Sequence, residues 1–402
     1  MKKILFVDDE QNILDGLQRM LRPMRNEWEM DFAVGGERAL ETLSRQAFDV
    51  VISDMRMPGI NGAQLLGEVM KRYPQTVRII LSGYSDHELI LKSVGPAHQF
   101  LSKPCDAKLI KETICRACAL RDLLADRALQ LLVSQLQSLP SLPSLFTELV
   151  NEMRSPNVSM KKIGEIIAKD LGMTAKILQM VNSAFFGIRR RISSPGEAVS
   201  LLGLDTIMTL VLTINVFSQV KQEALPGFSL AALWSQSMRV GTLAKRIAMK
   251  EAPDPGVVKD AFTAGLLHDA GHLVLAANLP EEYSRMLRLK QAQEKPEEES
   301  EREVFGASHS EIGAYLLGLW GLPDPIVEAV AFHHHPERCV ANGFGPITAV
   351  HVANSLERET RPAPRKDPSE AIDLDYLARI GLTDRLPNWR EICASIAQSE
   401  TA

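Results

Sequence analysis

Ile4-Leu5-Phe6-Val7-Asp8-Asp9-Glu10 decides the fold of the amino-terminal part of the chain. Four apolar residues followed at once by three acidic ones read as a short buried strand whose carboxyl end carries charge. Two similar runs follow, Val50-Val51-Ile52 and Val77-Arg78-Ile79-Ile80-Leu81, each set off by helix-length patterns. Short β-branched runs alternating with helices are the signature of a parallel sheet buried on both faces. Weaker strands are expected at Met30–Val34 and Gln99–Leu101, making five, with a turn at Lys103-Pro104 before a last helix from about Asp106. The expectation is a doubly wound, flavodoxin-like α/β domain over residues 1–121.

Beyond it the texture changes. Leu120, Leu123, Leu124, Leu131 and Leu132 recur at helical spacing without Gly or Pro, which predicts a helical connector over 122–138. Its apolar stripe either packs on its own domain or forms a parallel homodimer seam with a second copy of the chain, the heptad being imperfect at Arg127 and Gln135. Pro140 and Pro143 break that helix and open a region of long amphipathic patterns, an all-α domain over 139–402. Within it, Glu294–Glu303 with Pro296 reads as a solvated loop or helix end, and Met173–Val181 as core.

The whole chain has 402 residues, 45% hydrophobic and 24% charged, enough for two or three folded domains and too apolar for general disorder. A net charge of -5 offers no global field for a polyanion, and no apolar run reaches the roughly 18 residues that span a bilayer. Neither a membrane nor direct nucleic-acid contact is expected, and the expected compartment is the cytoplasm. The five cysteines make no disulfide framework; the Cys115-x-x-Cys118 pair stands without a second pair and is read as free thiols. Arg189-Arg190-Arg191 is the densest basic cluster and is read as a solvated turn.

In a parallel α/β sheet the loops at the carboxyl ends of the strands converge on one crevice, so Asp8, Asp9 and Asp54 come together there. Three carboxylates that close repel unless a cation lies among them, and oxygen-only ligation suits Mg²⁺. Ser82 after the fourth strand and Lys103 after the fifth offer a hydroxyl and an ammonium to an incoming oxyanion. The runs Val7-Asp8-Asp9-Glu10, Ser53-Asp54-Met55-Arg56-Met57-Pro58-Gly59, Leu81-Ser82-Gly83 and Ser102-Lys103-Pro104 resemble the receiver domain of two-component response regulators. The resemblance implies that Asp54 is the phosphoacceptor, that Asp8 and Asp9 hold Mg²⁺ with the backbone carbonyl of Arg56, and that Lys103 pairs with the phosphoryl group. It further implies that Ser82 is the switch hydroxyl, that Phe100 is the switch aromatic, and that a sensor histidine kinase is the donor.

In the second region His268-Asp269, His272, His309 and His333-His334-His335 are a pattern that can hold divalent metal and activate water. Asn182-Ser183-Ala184-Phe185-Phe186-Gly187 and Leu266-Leu267-His268-Asp269-Ala270-Gly271 resemble the HDOD domain, an output module related to HD-type phosphohydrolases. Against the cyclic-dinucleotide-cleaving HD-GYP relatives, Gln236 and Asn354 stand where that resemblance calls for a ligand histidine and an aspartate. Asp269, His309, His333 and His334 match the ligands of the second metal, with His268 beside them as a residual HD site. The expected state is nevertheless a polar core without metal, in a protein-binding output domain that contacts a downstream signalling protein. The alternative is a receiver-controlled, metal-dependent phosphodiesterase acting on a cyclic dinucleotide.

Overall fold

A computed structural model describes the chain except for residues 83–95, 122–126, 137–138, 142, 154, 156, 183–190, 205–206, 208–217, 220–227, 253, 294, 340–342, 360–370 and 401–402. The side chains of Ser82 and Leu120, the residues Leu123 and Leu124, the Ser183–Gly187 part of the Asn-Ser-Ala-Phe-Phe-Gly segment, and Arg189-Arg190 therefore lie outside the described residues.

The amino-terminal strands are β1 (Lys2–Asp8), β2 (Trp28–Val34), β3 (Val50–Asp54), β4 (Val77–Ser82) and β5 (Gln99–Ser102), all parallel in the order β2-β1-β3-β4-β5. Helices α1 (Gln11–Leu21), α2 (Gly36–Arg45), α3 (Gly62–Arg72) and α4 (Ala107–Arg121) flank the sheet. Alternation along the strands divides the core in two, because successive side chains point to opposite faces. Ile4, Phe6, Val50, Ile52 and Ile79 pack with Leu14 of α1 and Ile110 and Ile114 of α4. Leu5, Val7, Val51 and Ile80 pack with Leu43 of α2 and Leu65 of α3 on the other face. Asn61 caps α3, accepting from Gln64 N while Gln64 returns the bond to Asn61 N. The five-stranded doubly wound sheet is thus as the apolar runs predict.

The connector region contains α5 (Arg127–Gln135), whose Leu129 and Val133 are buried in the chain's own core while Leu131 is exposed. A buried arginine fastens this helix to the sheet. Arg78, on β4, donates from Nε to Pro96 O at 2.6 Å, from Nη1 to Pro74 O at 3.1 Å and from Nη2 to Ser134 O at 2.6 Å. His98 Nδ1 accepts from Arg78 N at 3.1 Å, and its Nε2 lies between Ser134 O at 2.8 Å and Arg78 Nη2 at 2.7 Å. Burial lowers the Arg78 guanidinium to about 10, and burial together with the adjacent Arg78 holds His98 well below the usual imidazole range. Arg78→Met should cost roughly 2–4 kcal/mol, because it strands buried carbonyls that the guanidinium satisfies. Urea unfolding measures it, and an unchanged midpoint would mean the clamp contributes nothing.

The remainder is helical: α6 (Pro143–Met153), α7 (Met160–Ala168), α8 (Leu171–Val181), α9 (Pro195–Leu202), α10 (Leu230–Glu251), α11 (Pro255–Leu267), α12 (Ala270–Asn278), α13 (Pro280–Gln293), α14 (Glu297–Phe305), α15 (His309–Leu319), α16 (Asp324–Phe332), α17 (Pro346–Glu359), α18 (Leu374–Arg379) and α19 (Leu386–Glu400). A two-residue parallel pairing of Pro140–Ser141 with Ser218–Gln219 is the one strand feature described there. Every residue of α8 is buried, as expected of a core helix. The run at 294–303 departs from expectation: residues 297–305 form α14, and Glu298, Ser300 and Glu301 are buried rather than solvated. The Glu301 carboxylate meets His309 and His272 and that of Glu298 meets His335, partners from distant segments that no local charge pattern reveals. No helix among the described residues is long and apolar enough to cross a membrane.

Candidate functional site

Two polar centres and a joint between them emerge. In the first, β1 and β3 deliver Asp8 and Asp54 to the carboxyl edge of the sheet, where both are buried. Asp9, one residue past β1, is half-buried. Lys103 Nζ lies 2.7 Å from Asp8 Oδ2 and contacts Asp54 Oδ1. Asp54 Oδ2 accepts from Arg56 N at 2.6 Å, and Asp8 Oδ1 from Glu10 N at 3.0 Å. Burial raises the Asp54 carboxyl, against the pull of Lys103. Burial alone would lower Lys103, but its bonds to Asp54 and Asp8 carry it above the usual lysine value. The donor set is oxygen only, which fits a hard cation such as Mg²⁺. Lys103 begins a cis Lys103-Pro104 peptide, as befits the expected turn. Phe100 is buried among Ile80, Met55, Met57 and Leu66, three residues before Lys103. Ser82 ends β4 opposite Ser102, its side chain outside the description.

The second centre lies in the helical domain. His268 follows α11, Asp269 precedes α12, His272 is within α12, His309 opens α15, and His333 and His334 follow α16. All six are buried. Close approach of backbones brings these helix ends together: a Cβ on Gly271 would lie 1.9 Å from His309 O, and one on Gly265 2.8 Å from Gly241 Cα. Asp269 Oδ1 is 3.5 Å from His309 Nε2 and 3.8 Å from His333 Nε2, and Asp269 Oδ2 is 3.2 Å from His268 Nε2. His334 Nε2 is 3.3 Å from His309 Nε2. Gln236 Nε2 donates to Asp269 Oδ2 at 3.2 Å, while Asn354 Oδ1 accepts from Arg358 Nε at 3.3 Å.

Around this centre stands a shell that the sequence did not disclose. Glu301 Oε2 accepts from both His309 N and His309 Nδ1, each at 2.8 Å, and Glu298 engages Ser310 Oγ at 2.9 Å and His335 Nε2 at 2.8 Å. Although burial opposes charge, Glu301 and Asp269 push His309 up to about 9. Burial likewise works against the Asp269 carboxylate, but His268, His272 and His309 hold it well below the usual range. The signal available in sequence was the Glu298, Glu301, Phe305 spacing, which puts both carboxylates on the face of Phe305, the face turned inward.

The joint runs between β5, α4, α15 and α16. Gln99 Nε2, next to Phe100, donates to Gly318 O at 3.1 Å. Arg116 of α4 donates to Leu322 O, and its Nε pairs with Asp324 Oδ1 at 2.7 Å. Helix α15 packs on both α4 and α5. Thus the two helices that bear His309 and lead into His333 and His334 touch the amino-terminal domain near their other ends.

Comparison with known proteins agrees with this division. The family model described as response regulator receiver domain matches residues 4–115, and that described as HDOD domain matches residues 139–336. An uncharacterized protein of Treponema pallidum is 28% identical over 230 residues, which is 56% of this chain and 44% of the relative. The hydrogenase transcriptional regulatory protein HoxA of Cupriavidus necator is 35% identical over 125 residues, 31% of this chain and 25% of the relative. The chain spans less than half the length of these curated relatives. A crystal structure of the MmoQ response regulator from Methylococcus capsulatus superposes with a TM-score of 0.50 at 26% identity, covering 63% of this chain and 98% of that one.

Proposed function

This chain is a two-component response regulator in which a receiver domain precedes an HDOD domain, and we propose that phosphorylation of Asp54 controls what the HDOD domain binds. The observation that carries the reading is Asp54, buried at a strand end with one oxygen on Lys103 and the other on the Arg56 amide. A receiver works with a histidine kinase, and receivers as a class use Mg²⁺; the particular kinase and the downstream signalling protein belong to the proposal, as do a cytoplasmic location and the domain limits 1–121, 122–138 and 139–402.

The geometry supports a specific division of labour. Oδ2 of Asp54 is engaged by the Arg56 N–H, so Oδ1, beside Lys103, attacks phosphorus in line while the donor's bond breaks, the P–N bond of a kinase phosphohistidine or the P–O bond of acetyl phosphate, and the imidazole or acetate leaves. Lys103 then passes from the carboxylate to a phosphoryl oxygen and compensates its charge. Asp8, Asp9, Asp54 and the Arg56 carbonyl would hold Mg²⁺, which would supply the remaining neutralisation. Drawing Lys103 and the Ser82 hydroxyl toward the new dianion shifts β4 and β5, and with them Phe100 and Gln99. Gln99 holds Gly318 O, so the shift reaches α15 directly.

Transfer is tested with acetyl phosphate: the chain should gain one acid-stable, alkali-labile phosphoryl group only with Mg²⁺ present. A chain that stays unmodified would refute the reading. Transmission is tested by Arg116→Ala, which removes the pair with Asp324 and the bond to Leu322 O. The joint should weaken by about 1–3 kcal/mol, seen as faster hydrogen exchange in residues 309–324 with the receiver sheet unchanged. Equal exchange in both proteins would remove Arg116 from the route.

The phosphodiesterase alternative fares less well. Two-metal hydrolysis needs ligands on both sides of the central aspartate. Here Gln236 turns an N–H toward Asp269 Oδ2, and Asn354 is spent on Arg358. A binding role for the HDOD domain is the reading these contacts support.

A further inference from the structure

A cavity of about 540 Å³ opens around the first turns of α9, α11 and α16. Pockets that take small molecules run roughly 300–1,000 Å³. None of the residues lining this one belongs to the phosphoryl site or to the histidine cluster. Pro255, Pro323 and Pro325 give it stiff, apolar walls, and the rest of its lining is mostly charged.

Those charges separate into two ends. At one, Arg191 Nη1 donates to Gly321 O at 2.7 Å, beside Leu322 O, which accepts from Arg116. Arg116 Nε also takes Asp324 Oδ1 at 2.7 Å, so the exposed Arg191 makes no ion pair among the described residues. Two guanidiniums here share one carboxylate, and burial together with Arg191 lowers Arg116 to about 10. At the other end the balance reverses. Lys259 Nζ is paired with Glu197 Oε2 at 2.9 Å, while Asp254 Oδ1 caps α11 by accepting from Gly256 N at 2.8 Å. Asp260, half-buried in the second turn of α11, bonds to Ser193, and burial, with Asp254 nearby, raises its carboxyl. Neither aspartate makes an ion pair among the described residues.

We propose that this cavity binds a small zwitterion, with its acid group on Arg191, its ammonium on Asp254 and Asp260, and the chain between them along the prolines. Arg191 commits one N–H to Gly321 O and keeps others for an anion. A lone anion would face two unpaired carboxylates, and a lone cation would face the two guanidiniums, so a molecule carrying both charges is the one that meets attraction at each end. Asp324 lines the cavity and is also the partner of Arg116, so an occupant lies against the joint between the domains. The site is separate from the chemistry of Asp54, and either can fail alone.

Glycine, γ-aminobutyrate and ε-aminocaproate, zwitterions of increasing length, test this when titrated into the full chain and followed by ligand-detected NMR. At least one should bind, while the matching acid that lacks the amine and the matching amine that lacks the acid should each bind about 5–10-fold more weakly. Arg191→Gln keeps a donor for Gly321 O but no charge, and should abolish the preference for the zwitterion over the matching amine. Asp254→Asn combined with Asp260→Asn keeps the cap of α11, since Asn caps as well as Asp, and should abolish the preference over the matching acid. Arg191→Gln, at an exposed position, decides the matter should the double variant prove unfolded by circular dichroism. The proposal is overturned by wild-type protein that binds none of the three, by a single-charge analogue that binds as tightly as its zwitterion, or by either folded variant that keeps both preferences.

Discussion

Asp54→Asn should abolish phosphoryl uptake from acetyl phosphate outright while leaving the receiver folded. The substitution keeps the shape of the side chain and the acceptor for Arg56 N, but an amide is not a nucleophile toward phosphorus and no longer attracts Lys103. Loss of charge is tolerable in the resting fold, because burial already works against an ionised carboxyl at this position. Urea unfolding should therefore move by no more than about 1–2 kcal/mol, whereas intact-mass analysis should show the phosphoryl adduct gone. Beryllofluoride, which needs the same carboxylate oxygen, should also lose its effect. Undiminished uptake in the variant would place the acceptor elsewhere.

Gly271→Ala should strongly disrupt the HDOD domain. Its Cβ would fall 1.9 Å from His309 O and 2.8 Å from His309 Cα, both backbone, so no side chain can rotate away. Helices α12 and α15 must part, at a cost of about 3 kcal/mol or more, and the Asp269 and His309 side chains part with them. Gly67→Ala in α3 is the control, since nothing lies within 4 Å of its added Cβ. There the smaller backbone entropy of the unfolded chain should stabilise by about 0.4–1 kcal/mol. Denaturant midpoints for the two variants should move in opposite directions; equal midpoints would refute the close packing of α12 on α15.

The contrast between these glycines also explains what could be read in advance. Asp8, Asp54 and Lys103 were legible because a parallel sheet sends the carboxyl ends of its strands to one edge, so local strand patterns already place them. His268-Asp269 and His309 stood out as residue types that seldom lie together without reason. Glu298 and Glu301 were not legible: their run is acidic and contains Pro296, and the histidines they meet, His272, His309 and His335, arrive from other segments by tertiary packing. Gln99 and Arg116 were silent for a related reason. Each looks like a surface residue of an isolated receiver and gains meaning only against Gly318, Leu322 and Asp324.

Those same contacts make the central claim open to direct measurement: the phosphoryl state of Asp54 is felt by the helices that carry the histidine cluster. Backbone hydrogen exchange of the full chain with Mg²⁺, with and without beryllofluoride, reads it. The account predicts altered protection in α4 and in residues 309–324 along with the response of β4 and β5, and none of it in Asp54→Asn. A full response within the receiver strands, with exchange in residues 309–324 unaltered, would contradict it.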